Sequence, residues 1–173
     1  MRLGLSSYAF AWAIGLPGHA PDQPMTPLHF LAEAARLQVR CMQLCDNLPL
    51  TALLPEALDA FEGRSRELGT HVEVGTRGLN PENLRAHLAL ARRFQSSFVR
   101  LVNRMGFVIE GRPAGQGLLN IPWLLGVLRA EERDLDMFLE TWPPPEPTLA
   151  ETLAKERRWA QESVAHLRTL MEA

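Results

Sequence analysis

Cysteine is scarce in this sequence: Cys41 and Cys45 are the two present among 173 residues. Two thiols on one strand face, four positions apart, lie too far apart for a local disulfide and form no disulfide framework. The sequence therefore points to a reducing cytoplasm. An excess of one charge is equally lacking. Lys and Arg number 18 against 20 Asp and Glu, a net charge of −2, which leaves no electrostatic footprint for nucleic acid or a membrane surface. No apolar run approaches the ~18 residues of a membrane span. The opening stretch "MRLGLSSYAFAWAIG" carries one Arg and a short apolar segment, but Ser6, Ser7 and Tyr8 interrupt it, and it reads as a strand rather than a leader. Histidines are few and scattered (His19, His29, His71, His87, His166), with no H-E-x-x-H pattern, and none is assigned to a metal. There is neither a phosphate loop ending in Gly-Lys-Ser/Thr nor a dinucleotide fingerprint. "GRPAGQG" is a turn-rich connector in which Arg112 is the one candidate phosphate contact.

What is present describes one globular domain. Hydrophobic residues make up 46% and charged residues 22%, and the chain is long enough to bury a real core. Strand-like and helix-like runs alternate. Strands are expected at Arg2–Phe10, "VRCMQLC" from Val39, "HVEVG" from His71, Phe98–Val102 and "DMFLETW" from Asp136. Helices are expected from Thr26-Pro27, from Pro55 to Leu68 with Gly69 as stop, after Asn80-Pro81, from Ile121 to Glu131, and from the capping box Thr148-Leu-Ala-Glu151. Gly106–Asn120 reads as a Gly-rich loop. Strands alternating with helices predict βαβ units and a parallel sheet.

Alternation along the strands separates two faces. One carries Leu3, Leu5, Met42, Leu44, Val72, Val74, Val99, Leu101, Met137 and Leu139, and should pack under the helices. The other carries Gly4, Ser6 and Tyr8, Cys41, Gln43, Cys45 and Asn47, Glu73, Gly75 and Arg77, Arg100, Phe138, Glu140 and Trp142. A doubly covered open sheet is usually apolar on both faces, whereas this second face is small or polar on every strand, as a barrel interior demands. Within it, Glu73 and Arg100 are expected to neutralise one another, because a buried charge needs a partner. The two cysteines read as small lining residues rather than half of a zinc site. Glu140 stands in "FLETWPPPEP", a lone carboxylate at a strand end before a block of prolines. It needs a partner, a metal or a task.

"LGLSSYAF", "CMQLCDN", "HVEVGTRGL", "FVRLV", "GFVIEGRPAGQGLLNIPWLL" and "FLETWPPPEP", in that order, resemble the sugar-phosphate isomerase/epimerase family with the xylose-isomerase-like TIM barrel. The resemblance implies an α/β fold of parallel βα units. It also implies metal-assisted isomerisation or epimerisation of a small sugar or keto acid, a role in carbohydrate metabolism, and a divalent ion at the barrel mouth. It places Glu140 at the family's eighth-strand carboxylate, as metal ligand and acid–base group. Gln43, Asn47, Glu73, Arg77, Arg112 and Trp142 are then expected at a substrate-binding mouth, with Glu110 and Arg112 reaching toward it from the Gly-rich loop. Trp142 and Pro143–Pro145 would wall a sugar pocket or pack the rim.

The departure from that pattern lies near residues 102–103. The sequence passes there from what looks like strand four into what looks like the loop after strand seven. About 80–100 residues are missing against the ~250 usual for such a barrel. Three of the four expected metal ligands go with them. The expectation is an incomplete TIM (β/α)8-type barrel of about five parallel βα units, one domain over residues 1–173, with open strand edges able to pair with a second copy. The alternative is a non-catalytic truncated barrel serving interaction or oligomerisation. A phosphodiester-cleaving relative of the same barrel would need a metal cluster for which this chain offers too few His and acidic residues.

Overall fold

The computed structural model describes residues 2–78, 80–102, 111–117, 119–130 and 136–172. Five parallel strands form one curled sheet: β1 (Leu3–Ser6), β2 (Cys41–Leu44), β3 (His71–Arg77), β4 (Val99–Val102) and β5 (Met137–Leu139). Their order is β4-β3-β2-β1-β5. The last strand thus lies beside the first, with Leu3 opposite Met137 and Leu5 opposite Leu139, while β4 holds the far edge. That order is the one an incomplete barrel requires, since the last strand of a closed barrel neighbours the first.

Helices α1 (Ala11–Ile14), α2 (Pro27–Arg36), α3 (Pro55–Glu67), α4 (Pro81–Arg93), α5 (Ile121–Ala130) and α6 (Leu149–Glu172) complete the fold. Their starts are set locally. The Thr26 hydroxyl accepts the amide of His29 before Pro27, and Asn80 Oδ1 accepts those of Glu82 and Asn83. Thr148 and Glu151 close the reciprocal box at α6, each side chain accepting the other's amide, at 3.2 and 3.1 Å. Gly69 turns the chain out of α3 at φ +61°, which a side chain would resist.

The core fills the space between the sheet and these helices. Leu5, Met42, Leu44, Val72, Val74 and Leu139 meet Phe30 and Leu31 of α2, Phe61 of α3, Leu90 of α4, Leu125 of α5, and Val164 and Leu167 of α6. Full burial of each such side chain stabilises by about 1.5–3 kcal/mol. The outer face expected from alternation is this one, with an exception: Leu101 is 40% exposed, because β4 is the sheet edge among the described residues.

The first strand stops earlier than its apolar run. It ends at Ser6, whose hydroxyl accepts the amide of Tyr8 and turns Ser7–Phe10 into a 3-10 helix leading into α1. Ser7 Oγ accepts the amide of Cys45 at 3.0 Å, which fastens this turn to the end of β2. The fifth strand is likewise shorter than expected, so Glu140, Thr141 and Trp142 lie just beyond it. The expected position of Glu110 falls outside the described residues.

Glu156 of α6 is fully buried, and its two oxygens accept the amides of Trp12 and Ala13 at 2.8 and 3.0 Å. It thereby fastens α6 to the chain after β1. Burial pushes its carboxyl up to about 8, against the two N–H groups that favour the charged form. Its folded-state value thus lies above its unfolded one. The stability it contributes is complete below about 4.5 and is lost as pH rises through about 8. Glu156→Gln turns amide hydrogens toward backbone donors and should cost about 1–3 kcal/mol. It should also remove this pH dependence, as read by urea unfolding of both proteins across that range.

Candidate active site at the carboxyl ends of the strands

The inner face of the half-barrel carries a row of polar side chains, and those at its carboxyl end gather around Glu140. Glu140, one residue beyond β5, accepts a hydrogen bond from Ser6 Oγ at 3.0 Å and pairs with Arg100 Nη2 at 2.8 Å through the same oxygen. Arg100 comes from β4, three strands away from β1 in the sheet order, and spans the hollow to reach it. Gly75 makes that crossing feasible. It stands opposite Arg100 in register, and a Cβ there would lie 3.1 Å from Cys45 Sγ and 3.3 Å from Arg100 Cβ.

The expected Glu73–Arg100 pair is therefore not formed. Arg100 serves Glu140, and its Nη1 donates to Cys45 Sγ at 3.4 Å. The thiol of Cys45 is buried and pushed upward chiefly by that burial, with Arg100 opposing.

A second pair lines the same mouth. Arg77 Nε meets Asp46 Oδ2 at 2.9 Å, and its Nη2 donates to Tyr8 Oη, which in turn donates to Asp46 Oδ1. Desolvation and the Asp46 hydrogen bond raise the phenol to about 12, so Tyr8 remains a donor at neutral pH. Its ring stacks on Trp142 at 4.9 Å and 23°, with Arg100 over the ring at 5.9 Å. Trp142 is 41% exposed, so part of its aromatic surface is accessible.

Asn47 joins the mouth through Ser7, accepting from its hydroxyl at 2.6 Å. Exposed Arg112 follows Gly111, whose amide donates to the Trp142 carbonyl at 3.0 Å, so its backbone adjoins the same rim. Gln43 is buried midway along the interior, donating to Glu73 and accepting from Cys45.

Glu73 is not at the mouth. It lies four residues before Arg77 on β3, about 13 Å along an extended chain, toward the strand starts. There it faces His71, Asp136 and Cys41. Ligand atoms of these four side chains all lie within 4.8 Å of one another, a group able to hold a metal ion. Burial and the neighbouring Asp136 charge raise the Glu73 carboxyl, and burial pushes the Cys41 thiol up to about 12. Arg2, bound to both oxygens of Asp136, keeps that carboxylate below its usual range.

Glu140 itself joins no group of three or more Cys, His, Asp or Glu side chains close enough to share an ion, among the described residues. With Ser6 and Arg100 already on Oε1, these residues do not fit the divalent ion expected at that position. Sequence reasoning did not name Ser6, Tyr8 or Asp46 as mouth residues, although Ser6 and Tyr8 fall on the polar face of the first predicted strand and Asp46 directly follows the second. It also missed the metal group, whose signal was the matching positions of Cys41 and His71 at the starts of neighbouring strands.

No protein-family model matches the chain. Over 100 residues the chain is 34% identical to a 3-oxo-isoapionate decarboxylase of Pectobacterium atrosepticum, a match covering 58% of this chain and 35% of that protein. The matched portion thus spans about a third of that relative's length. Among solved structures, an L-ribulose 3-epimerase superposes with a TM-score of 0.53 over 99% of this chain and 94% of that one, at 10% identity, which speaks for the fold alone. Together they support the resemblance to the xylose-isomerase-like fold of sugar isomerases and epimerases.

The Arg100–Glu140 pair is about a quarter exposed, with side chains at 27% and 22%. A double-mutant cycle of Arg100→Ala and Glu140→Ala should accordingly return a coupling of about 1 kcal/mol in urea unfolding.

Proposed function

We propose that this chain is an internally shortened barrel that binds a small sugar or keto acid at the carboxyl ends of its strands, with isomerase- or epimerase-like chemistry curtailed by the missing ligand set. The observation that carries this is Glu140 held between Ser6 and Arg100 beside the Tyr8–Trp142 stack. A carboxylate and a guanidinium a hydrogen bond apart are what proton transfer next to a carbonyl requires, one to take the proton and one to hold the oxygen.

In this reading the substrate enters between the pair. Its carbonyl oxygen accepts from Arg100, and Glu140 removes the proton on the adjacent carbon. The C–H electron pair becomes the new C=C bond of an enediolate, whose oxygen charge rests against the guanidinium. The hydroxyl proton on the deprotonated carbon passes to the enediolate oxygen, and return of the proton from Glu140 to the former carbonyl carbon leaves the carbonyl on its neighbour and completes an isomerisation. The aromatic face of Trp142 supports the sugar carbons, and Asp46, Arg77 and Asn47 supply hydrogen bonds to hydroxyl groups.

The comparisons are in keeping with this chemistry. One relative is named for decarboxylating a 3-oxo acid and the structural neighbour for epimerising a ketose. Both reactions pass negative charge onto a carbonyl oxygen. Glu140 acts in this reading as proton carrier, since it joins no group of three or more potential metal donors among the described residues.

Ketoses and 3-oxo acids should raise the melting temperature of the parent. At ten times Kd the stabilisation is about 1.4 kcal/mol, or ~3–6 °C for a chain of this size. Arg100→Met should abolish the rise. Hydrogen–deuterium exchange at the carbon beside the carbonyl, followed by NMR in heavy water, should fall by about 10²-fold or more in Glu140→Gln. Absence of both exchange and thermal shift in the parent would refute the sugar-binding reading.

A second reading, an interaction unit, is favoured by the β4 edge, where Phe98 and Leu101 are 44% and 40% exposed. Strand edges with apolar side chains invite pairing. If a second copy pairs there, light scattering should give a dimer for the parent and a monomer for the Phe98→Lys, Leu101→Lys double variant.

A further inference from the structure

We propose that Cys41, His71, Glu73 and Asp136 form a zinc-class metal site at the start of the strands, opposite the candidate active site and independent of it. Cys41 and His71 face one another in register at the beginnings of β2 and β3, and Glu73 follows two residues later on the same side of β3. Asp136 enters from the residue before β5. Three separate segments thus converge on one point within the inner hollow.

The donor atoms are close and poised. Cys41 Sγ is 4.0 Å from Asp136 Oδ2, and His71 Nε2 is 3.4 Å from Glu73 Oε1. Drawing such atoms around a central ion at ~2.0–2.3 Å asks for small movements only.

An independent observation points to a ligand. Glu73 has no exposed side-chain surface, yet its Oε1 has no hydrogen-bond partner, and neither does His71 Nε2. Buried polar atoms left without partners are costly and rare. Here the two orphaned atoms face each other inside the group, where one cation would satisfy both.

The surrounding contacts resemble the outer shell of a metal centre. Gln43 Nε2 donates to Glu73 Oε2 at 3.4 Å, leaving Oε1 turned inward, and Arg2 grips Asp136 from the solvent side. Four donors of sulfur, nitrogen and oxygen suit a tetrahedral borderline ion. Magnesium and calcium prefer six or more oxygens. On binding, the Cys41 thiol gives its proton to solvent and the sulfur joins the ion as thiolate.

Such an ion would be structural. The β1–β5 pairing spans three residue pairs, and the ion would add a bond from the lead-in of β5 to β2 and β3. It would tie down the strand that, among the described residues, otherwise holds the sheet by one neighbour.

The test is titration of the chelator-stripped protein with Zn2+, Co2+ and Mg2+. One equivalent of Zn2+ should bind and raise the melting temperature by about 5 °C or more at saturation, with Mg2+ giving no rise. Co2+ should produce a near-ultraviolet sulfur-to-cobalt absorption band. Cys41→Ser should erase that band, and His71→Ala should weaken Zn2+ binding by 10-fold or more. Cys45→Ser and Glu140→Gln should leave both unchanged. No stoichiometric Zn2+ binding by the parent would overturn the proposal, as would a sulfur band that survives Cys41→Ser. Circular dichroism of each variant at 10 °C separates lost ligation from lost folding. Should Cys41→Ser or His71→Ala not fold, the parent's own Zn2+ stoichiometry and cobalt band decide.

Discussion

Charge neutralisation inside an incomplete barrel is the constraint on which the structure turns. Five parallel strands curl so that every second side chain points into a hollow. A closed barrel packs that space in layers of side chains. Here it is occupied by a row of polar groups that runs from Arg2 and Asp136 through Glu73, Gln43 and Cys45 to Arg100 and Glu140. Most members satisfy a neighbour, because an unpaired charge in such a setting costs several kcal/mol, and Glu73 Oε1 is the exception.

The row works only where the backbone leaves room. Gly75 lets Arg100 lie flat against β3, and Gly4 lets the Phe138 ring approach β1, where a Cβ would come within 2.6 Å of the ring. Small residues on one strand thus define what the neighbouring strand can present. The same logic explains why Cys45 is a lining residue and not a nucleophile. It is enclosed by Ser6, Gln43 and Arg100, and burial keeps its thiol protonated.

The two ends of the row differ in kind. At the carboxyl ends the charges are paired, Glu140 with Arg100 and Asp46 with Arg77, and a partly exposed Trp142 stacks on buried Tyr8. At the strand starts two carboxyls, a thiol and one imidazole have Arg2 as the one guanidinium paired with them among the described residues, and two buried atoms go unsatisfied. The first arrangement is suited to a neutral or anionic organic molecule that exchanges hydrogen bonds with an existing pair. The second is suited to a cation.

Local chemistry in the sequence determined much of this. The caps at Thr26, Asn80 and Thr148, the stop at Gly69 and the alternation of Leu5, Met42, Val72 and Leu139 act over a few residues, so the helices, the parallel strands and their inner face were legible in order. So was the place of Glu140 on that face, where it meets Ser6 and Arg100. Strand ends were not, because Ser6 and Ser7 leave β1 through hydrogen bonds to Tyr8 and to distant Cys45, which no local pattern encodes. The partner of Glu140 was decided by tertiary structure alone. Arg100 and Glu73 share a face in sequence, but curling of the sheet carries Arg100 across the hollow to β5 and leaves Glu73 with His71, Asp136 and Cys41. Periodicity tells which way a side chain points. Only the arrangement of strands in space tells what it meets.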